Sequence, residues 1–134
     1  MKIKVEWSDA LKFVGHSAKG HQVLMDGNSG TAGASPMELV LMAIAGCSSV
    51  DIVSDLKEAD QHITGCTVEV SAERAEIAPR VFTNIDLLYT ITGSDVDPSL
   101  VEKAICISMD KYCSVAKMLE STAAINARFE IDAA

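Results

Sequence analysis

The chain has 134 residues, 49% of them hydrophobic but only 4% aromatic, with a formal net charge of -8 at pH 7. Such a length and apolar content exclude a disordered chain and predict one domain over residues 1–134, with an aliphatic core. Lys and Arg are scattered singly, so there is no basic stripe to follow a nucleic-acid backbone, and no nucleic-acid partner is expected.

The opening run from Met1 to Ala10 alternates apolar and polar side chains, unlike a secretory signal. The longest apolar run, Leu39 to Cys47, falls well short of the roughly 20 residues a membrane-spanning helix needs. A cytoplasmic protein without a membrane partner is expected. In that reducing setting the four cysteines, Cys47, Cys66, Cys106 and Cys113, predict no structural disulfide. Their spacings fit neither a CxxC redox pair nor a zinc site, so no metal or other cofactor is expected.

Three short strands are predicted first, over Ile3 to Trp7, Leu11 to His16 and His21 to Met25, joined as a meander by turn-prone Ser-Asp and Ala-Lys-Gly. Asp26 to Ala34 reads as a loop. Ser35-Pro36-Met37-Glu38 then gives a helix start, with Ser35 as N-cap, Pro36 at the first helical position and Glu38 closing a capping box. The helix is expected to run to Lys57 or Glu58, with Ser48, Asp51, Asp55 and Glu58 on a polar stripe. Its first half is apolar all round, which demands cover on every side, from a second sheet or a second copy of the chain.

Ile63 to Glu76 and Val81 to Thr92 alternate as two strands of a long hairpin around Ala78-Pro79-Arg80. Asp97-Pro98 repeats the cap-then-Pro signal and starts a helix with Leu100, Val101, Ala104, Ile105 and Met109 inward. A further helical stretch spans Ser114 to Ser121, and Ile125, Ala127, Phe129 and Ile131 mark a closing strand. The order of elements lacks βαβ alternation and defines an α+β layout.

The candidate chemistry lies in two thiols. Cys47 sits mid-helix behind Gly46, a residue that costs a helix roughly 1 kcal/mol relative to Ala and so implies a close neighbour. Read alone, Cys47 is either a reactive thiol or one more small buried side chain. Cys113 lies between Lys111 and Lys117, whose charges favour a thiolate if they are near, though a solvated pair of lysines looks the same. Cys66 and Cys106 read as core. His16, His21 and His62 are dispersed and assemble no Cys-His pair.

The run Ser35-Pro-Met-Glu-Leu-Val-Leu-Met-Ala-Ile-Ala-Gly-Cys47-Ser, together with Tyr112-Cys113-Ser-Val-Ala-Lys117 and the order of strands around them, resembles the OsmC/Ohr family. These are osmotically inducible and organic hydroperoxide resistance proteins, and the likeness is strongest to the YhfA-like branch. It implies two antiparallel sheets sandwiching long central helices in an intertwined homodimer. It also implies peroxiredoxin-like chemistry that protects against oxidative stress: Cys47 attacks an organic hydroperoxide, its sulfenic acid is captured by Cys113, and an external dithiol such as a lipoylated protein restores both. An aliphatic cavity lined by Leu41, Ile44 and Met109 would favour fatty or aromatic hydroperoxides.

Two positions depart from the peroxidase members. Leu24 stands where they carry Arg, and Met37 where they carry Glu, while Glu38 is rotated by about 100° from that position. Lys19, His21, Lys111 or an Arg of a partner chain are the candidate substitutes, with Glu38 and Lys111 as possible supporting residues. Asp51, one turn past Cys47, opposes a thiolate if it lies close. The same residues are compatible with a dimeric module binding a small lipophilic ligand, or with a redox sensor, in which the cysteines react slowly.

Overall fold

The computed structural model describes all residues from Met1 to Ala134, which divide into two compact units, Met1–Leu41 and Met42–Ala134. In the first unit, β1 (Lys4–Asp9), β2 (Lys12–His16) and β3 (Gln22–Asp26) form an antiparallel meander. Trp7 pairs with Phe13 and Phe13 with Met25, while Val5 and Val23 both pair with Gly15. Alternation therefore gathers Val5, Trp7, Phe13 and Val23 on one face, all of them exposed, with Trp7 at 67%.

The loop after β3 is pinned by Asp26. Its buried carboxylate accepts from the backbone N–H groups of Asn28 at 2.8 Å and Ala32 at 2.9 Å, which hold its pKa below the ordinary carboxylate value. The chain then folds back on β3, with the Asp26 N–H donating to the Ala34 carbonyl at 3.1 Å. Gly33 makes this possible, since a Cβ there would lie 2.9 Å from Leu24 Cγ and 3.0 Å from the Leu24 carbonyl oxygen. The expected capping box follows: the Ser35 N–H donates to Glu38 Oε1 at 2.9 Å, and the Glu38 N–H to Ser35 Oγ at 3.2 Å.

That cap starts α1 (Pro36–Glu58), which runs on through the second unit. β4 (His62–Arg74) and β5 (Phe82–Ser94) form the long antiparallel hairpin. α2 (Pro98–Ile107) is capped by Asp97, whose carboxylate accepts from the Ser99 N–H at 2.9 Å. A π-helical turn, Ser108–Tyr112, leads to α3 (Ser114–Leu119), and β6 (Ala124–Ala133) closes the sheet. β6 lies parallel to β5, so this sheet, ordered β4-β5-β6, is mixed rather than antiparallel throughout. The helices between β5 and β6 form a crossover that returns the chain to the end where β5 began.

β5 is central and supplies the core. Ile85, Leu87, Tyr89 and Ile91 are buried on its inner face, and each such aliphatic side chain contributes about 1.5–3 kcal/mol. The outer face is polar, with the Asp86 carboxylate accepting from Asn84 Nδ2 at 2.7 Å and Asn126 Nδ2 at 3.0 Å. From α2 come Val101, Ala104 and Ile105. Cys106, expected in the core, is exposed because it falls about 100° off that stripe.

One expectation for α1 needs correction. Only Ile44, Ser48, Ile52 and Leu56 are buried, a single stripe four residues apart, while Val50 is 70% exposed and Met42 is also exposed. Ser48 thus belongs to the buried stripe and not to the polar one. Nothing lies within 4 Å of a Cβ built on Gly46, so no neighbour in the chain requires that glycine. By length and composition α1 is also apolar enough to cross a membrane, with a mean hydropathy of 1.7. The run from Leu39 to Cys47 stops at Ser48 and Ser49, beyond which Val50, Ile52 and Val53 resume the apolar character around Asp51.

Candidate functional site: two thiols between a long helix and a π turn

Ser48 sets the position of α1 on the sheet. Its Oγ lies 2.8 Å from the Ile44 carbonyl, 3.2 Å from the Ala45 carbonyl and 2.5 Å from Tyr89 Oη, all away from solvent. One arrangement satisfies the buried groups: Ser48 donates to the Ile44 carbonyl, and Tyr89 donates to Ser48 Oγ. Burial pushes the Tyr89 phenol up to about 12; the Ser48 bond lowers it in part, and the Cys113 and Cys66 thiols raise it further.

With Ser48 inward, Cys47 is turned by about 100° to the edge of the buried stripe and is half-buried. Asp51 follows one turn later on the same side. Both meet the segment after α2. Ser108, fully buried, donates from its Oγ to Asp51 Oδ2 at 2.9 Å, and its carbonyl accepts the Cys113 N–H at 2.7 Å. The latter bond closes the π turn and brings Cys113 to the start of α3.

Cys113 is wholly buried, with the Cys47 thiol near enough to raise its pKa. Its Sγ also accepts the Ala116 N–H at 3.4 Å. Burial raises the Cys113 thiol to about 11; the Ala116 contact lowers it, and Cys47 adds to the rise. Cys113 therefore holds its proton at neutral pH, while Cys47 beside it is half-buried.

Of the candidate residues, the structure brings Cys47 and Cys113 together. Lys111 is exposed in the π turn, its Nζ 5.2 Å from the centre of the Tyr112 ring. Glu38 is engaged by the Ser35 N–H, which holds its pKa below the ordinary value, so it acts as a capping residue. Ile44 is packed in the core stripe and Met109 is half-buried. Cys66 faces inward on β4; burial pushes its thiol up, and the nearby Ser49 side chain offsets part of the rise. Sequence reading missed Ser48, Tyr89 and Ser108 as parts of the site. A phenol on the inward face of a strand was the available signal, since a buried Tyr hydroxyl needs a partner.

The chain matches the family model of the OsmC-like protein over residues 27–128. It is 48% identical over 134 residues to Protein YhfA of Escherichia coli (strain K12), covering 100% of both chains. Among solved structures, a hypothetical protein from Aquifex aeolicus VF5 superposes with a TM-score of 0.90 at 26% identity, covering 99% of this chain and 96% of that one. The organic hydroperoxide resistance protein OhrB of Bacillus subtilis shares the fold, with a TM-score of 0.64 at 16% identity over 97% of this chain and 98% of that one. This chain belongs to the OsmC-like family.

The buried thiol and phenol give stability a defined pH dependence. Below pH 9 Cys113 is protonated in both folded and unfolded chains, and its contribution is complete. As pH rises from 9.0 towards about 11, the unfolded chain releases the proton that the folded chain keeps, so stability falls. Tyr89 extends the same loss from 10.0 to about 12. Urea midpoints measured from pH 7 to pH 11 should therefore decline above pH 9, and less steeply in Cys113→Ala. An equal slope in that variant would contradict the assignment.

Proposed function

We propose that this chain reduces organic hydroperoxides by a two-thiol mechanism, with Cys47 as nucleophile and Cys113 as resolving thiol. The proximity of the two thiols carries this reading. The Cys47 thiolate attacks the outer peroxide oxygen, the O–O bond breaks, and the alkoxide leaves as an alcohol after taking a proton. Cys47 is then a sulfenic acid. Cys113 attacks its sulfur, the S–O bond breaks, and hydroxide leaves with the Cys113 proton as water. An external dithiol, such as that of a lipoylated protein, returns two electrons and two protons in the cytoplasm. The name of OhrB, a fold neighbour, supports hydroperoxide as the substrate class.

The working form in this proposal is a homodimer. Met42 and Val50 on α1, and Val5, Trp7, Phe13 and Val23 on the N-terminal sheet, are large side chains left to solvent by one chain. Exposed apolar surfaces of this kind mark association sites, and a second copy of the chain offers a self-complementary cover. A partner also explains how Gly46, open in one chain, would gain a close neighbour.

A second reading draws on Leu24 and Met37. Without the Arg and Glu expected at those positions, the same chain would hold a lipophilic ligand, or report redox state, with thiols that react slowly. Limiting tert-butyl hydroperoxide decides between them. Peroxidase action predicts a Cys47–Cys113 disulfide within one turnover, no turnover in Cys47→Ser, and accumulation of Cys47 sulfenic or sulfinic acid in Cys113→Ser. Unmodified thiols by mass spectrometry after exposure would overturn it. Sedimentation equilibrium should give the mass of two chains, reverting towards one in Val50→Glu, whereas a wild-type monomer would sink the dimer.

A further inference from the structure

Asp51 and Ser108 have no step in the reaction above, yet they meet within 2.9 Å beside it. Cys47 and Asp51 are one helical turn apart on α1 and face the same short segment, one at each end. At one end of the π turn Asp51 receives the Ser108 hydroxyl, and at the other the Cys113 thiol lies near enough to Cys47 for the two to interact. Ser108 joins the two ends directly, because its carbonyl accepts the Cys113 N–H at 2.7 Å. A π turn has wider, less regular hydrogen bonding than an α-helix and recurs at functional sites, so its placement needs an outside anchor.

We propose that the Asp51–Ser108 hydrogen bond is a latch that positions Cys113 against Cys47 and thereby sets how readily the two thiols close into a disulfide. The two are positioning residues: neither touches the reacting sulfurs. The proposal deepens the dithiol reading above, but rests on closure of the pair rather than on any peroxide. Its physical basis is effective concentration. Cys113 is held by its backbone, the backbone is held by Ser108, and Ser108 is fixed to α1 by its bond to the Asp51 carboxylate. Releasing that bond leaves the π turn free to drift by distances that matter for a disulfide, whose Cα–Cα span tolerates only about 4.4–6.8 Å.

The test uses the thiol–disulfide equilibrium with glutathione, in which one glutathione disulfide gives two reduced glutathiones as the protein dithiol closes. Cys66 and Cys106 are replaced by Ala in every protein compared. Asp51→Ala and Ser108→Ala should each lower the equilibrium constant for closure at least about tenfold, a shift of about 30 mV for this two-electron couple. Asp51→Asn provides a same-size variant should Asp51→Ala fail to fold, and Ser108→Thr, which keeps the hydroxyl, should restore closure towards wild type. Asp97→Ala, which removes the α2 cap and so lowers stability away from the thiols, should leave the constant within about threefold. A loss of less than about tenfold in the latch variants overturns the proposal, as does an equal loss in Asp97→Ala. If the wild type closes with glutathione disulfide but ignores hydroperoxide, the latch stands and the peroxidase reading falls. If the variants close like wild type while hydroperoxide is still reduced, the reverse holds.

Discussion

Tyr89 and Ser48 meet inside the core, where neither hydroxyl can turn to solvent, and their hydrogen bond fixes both the height and the rotation of α1 on β5. Ser48 needs its own donor satisfied by the Ile44 carbonyl behind it, so only the lone pairs of its oxygen remain for the phenol. Shifting the helix by one residue would replace this pair with an unpartnered buried hydroxyl, at a cost of about 1–3 kcal/mol. The positions of Cys47 and Asp51 follow from that constraint, because each is a fixed rotation away from Ser48 on the same rigid element.

What that placement creates is an asymmetric pair of thiols. Cys113 is shut away from solvent and kept neutral by burial, while Cys47 remains half-buried at the margin of the helix. The asymmetry suits a division of labour in which one sulfur meets the oxidant and the other waits as a protonated neighbour. Leu24 and Met37 set the limit of this scheme, since neither can supply charge to a leaving oxygen. The Ala116 N–H that donates to Cys113 Sγ is likewise a neutral donor.

Much of the architecture could be read from the residues, because the signals were local. Ser35-Pro36 with Glu38, and Asp97-Pro98, are cap chemistries that act within one turn, and α1 and α2 begin where they place them. The alternation in β5 likewise matched its buried face. The parallel direction of β6 was not legible, since a strand's own pattern does not record which way its neighbour runs. Ser48 was misplaced because helical spacing assigns a Ser to a polar face, and only the partner strand reveals the phenol that draws it inward. The π turn at Ser108–Tyr112 leaves no periodic trace, so the Asp51–Ser108 contact it makes was invisible. The proximity of Cys47 and Cys113 came from family resemblance, not from spacing, and the structure supplies its physical form.

The claim beneath the whole account is that Cys113 is a buried thiol whose ionisation Cys47 opposes from close by. A 13Cβ NMR titration of Cys113, in protein shown by its amide spectrum to be folded at each pH, reads that interaction at the sulfur itself. The account predicts a midpoint of about 11 that moves down when Cys47 is replaced by Ala. A midpoint near the ordinary 9.0, or one indifferent to the Cys47 substitution, would contradict it.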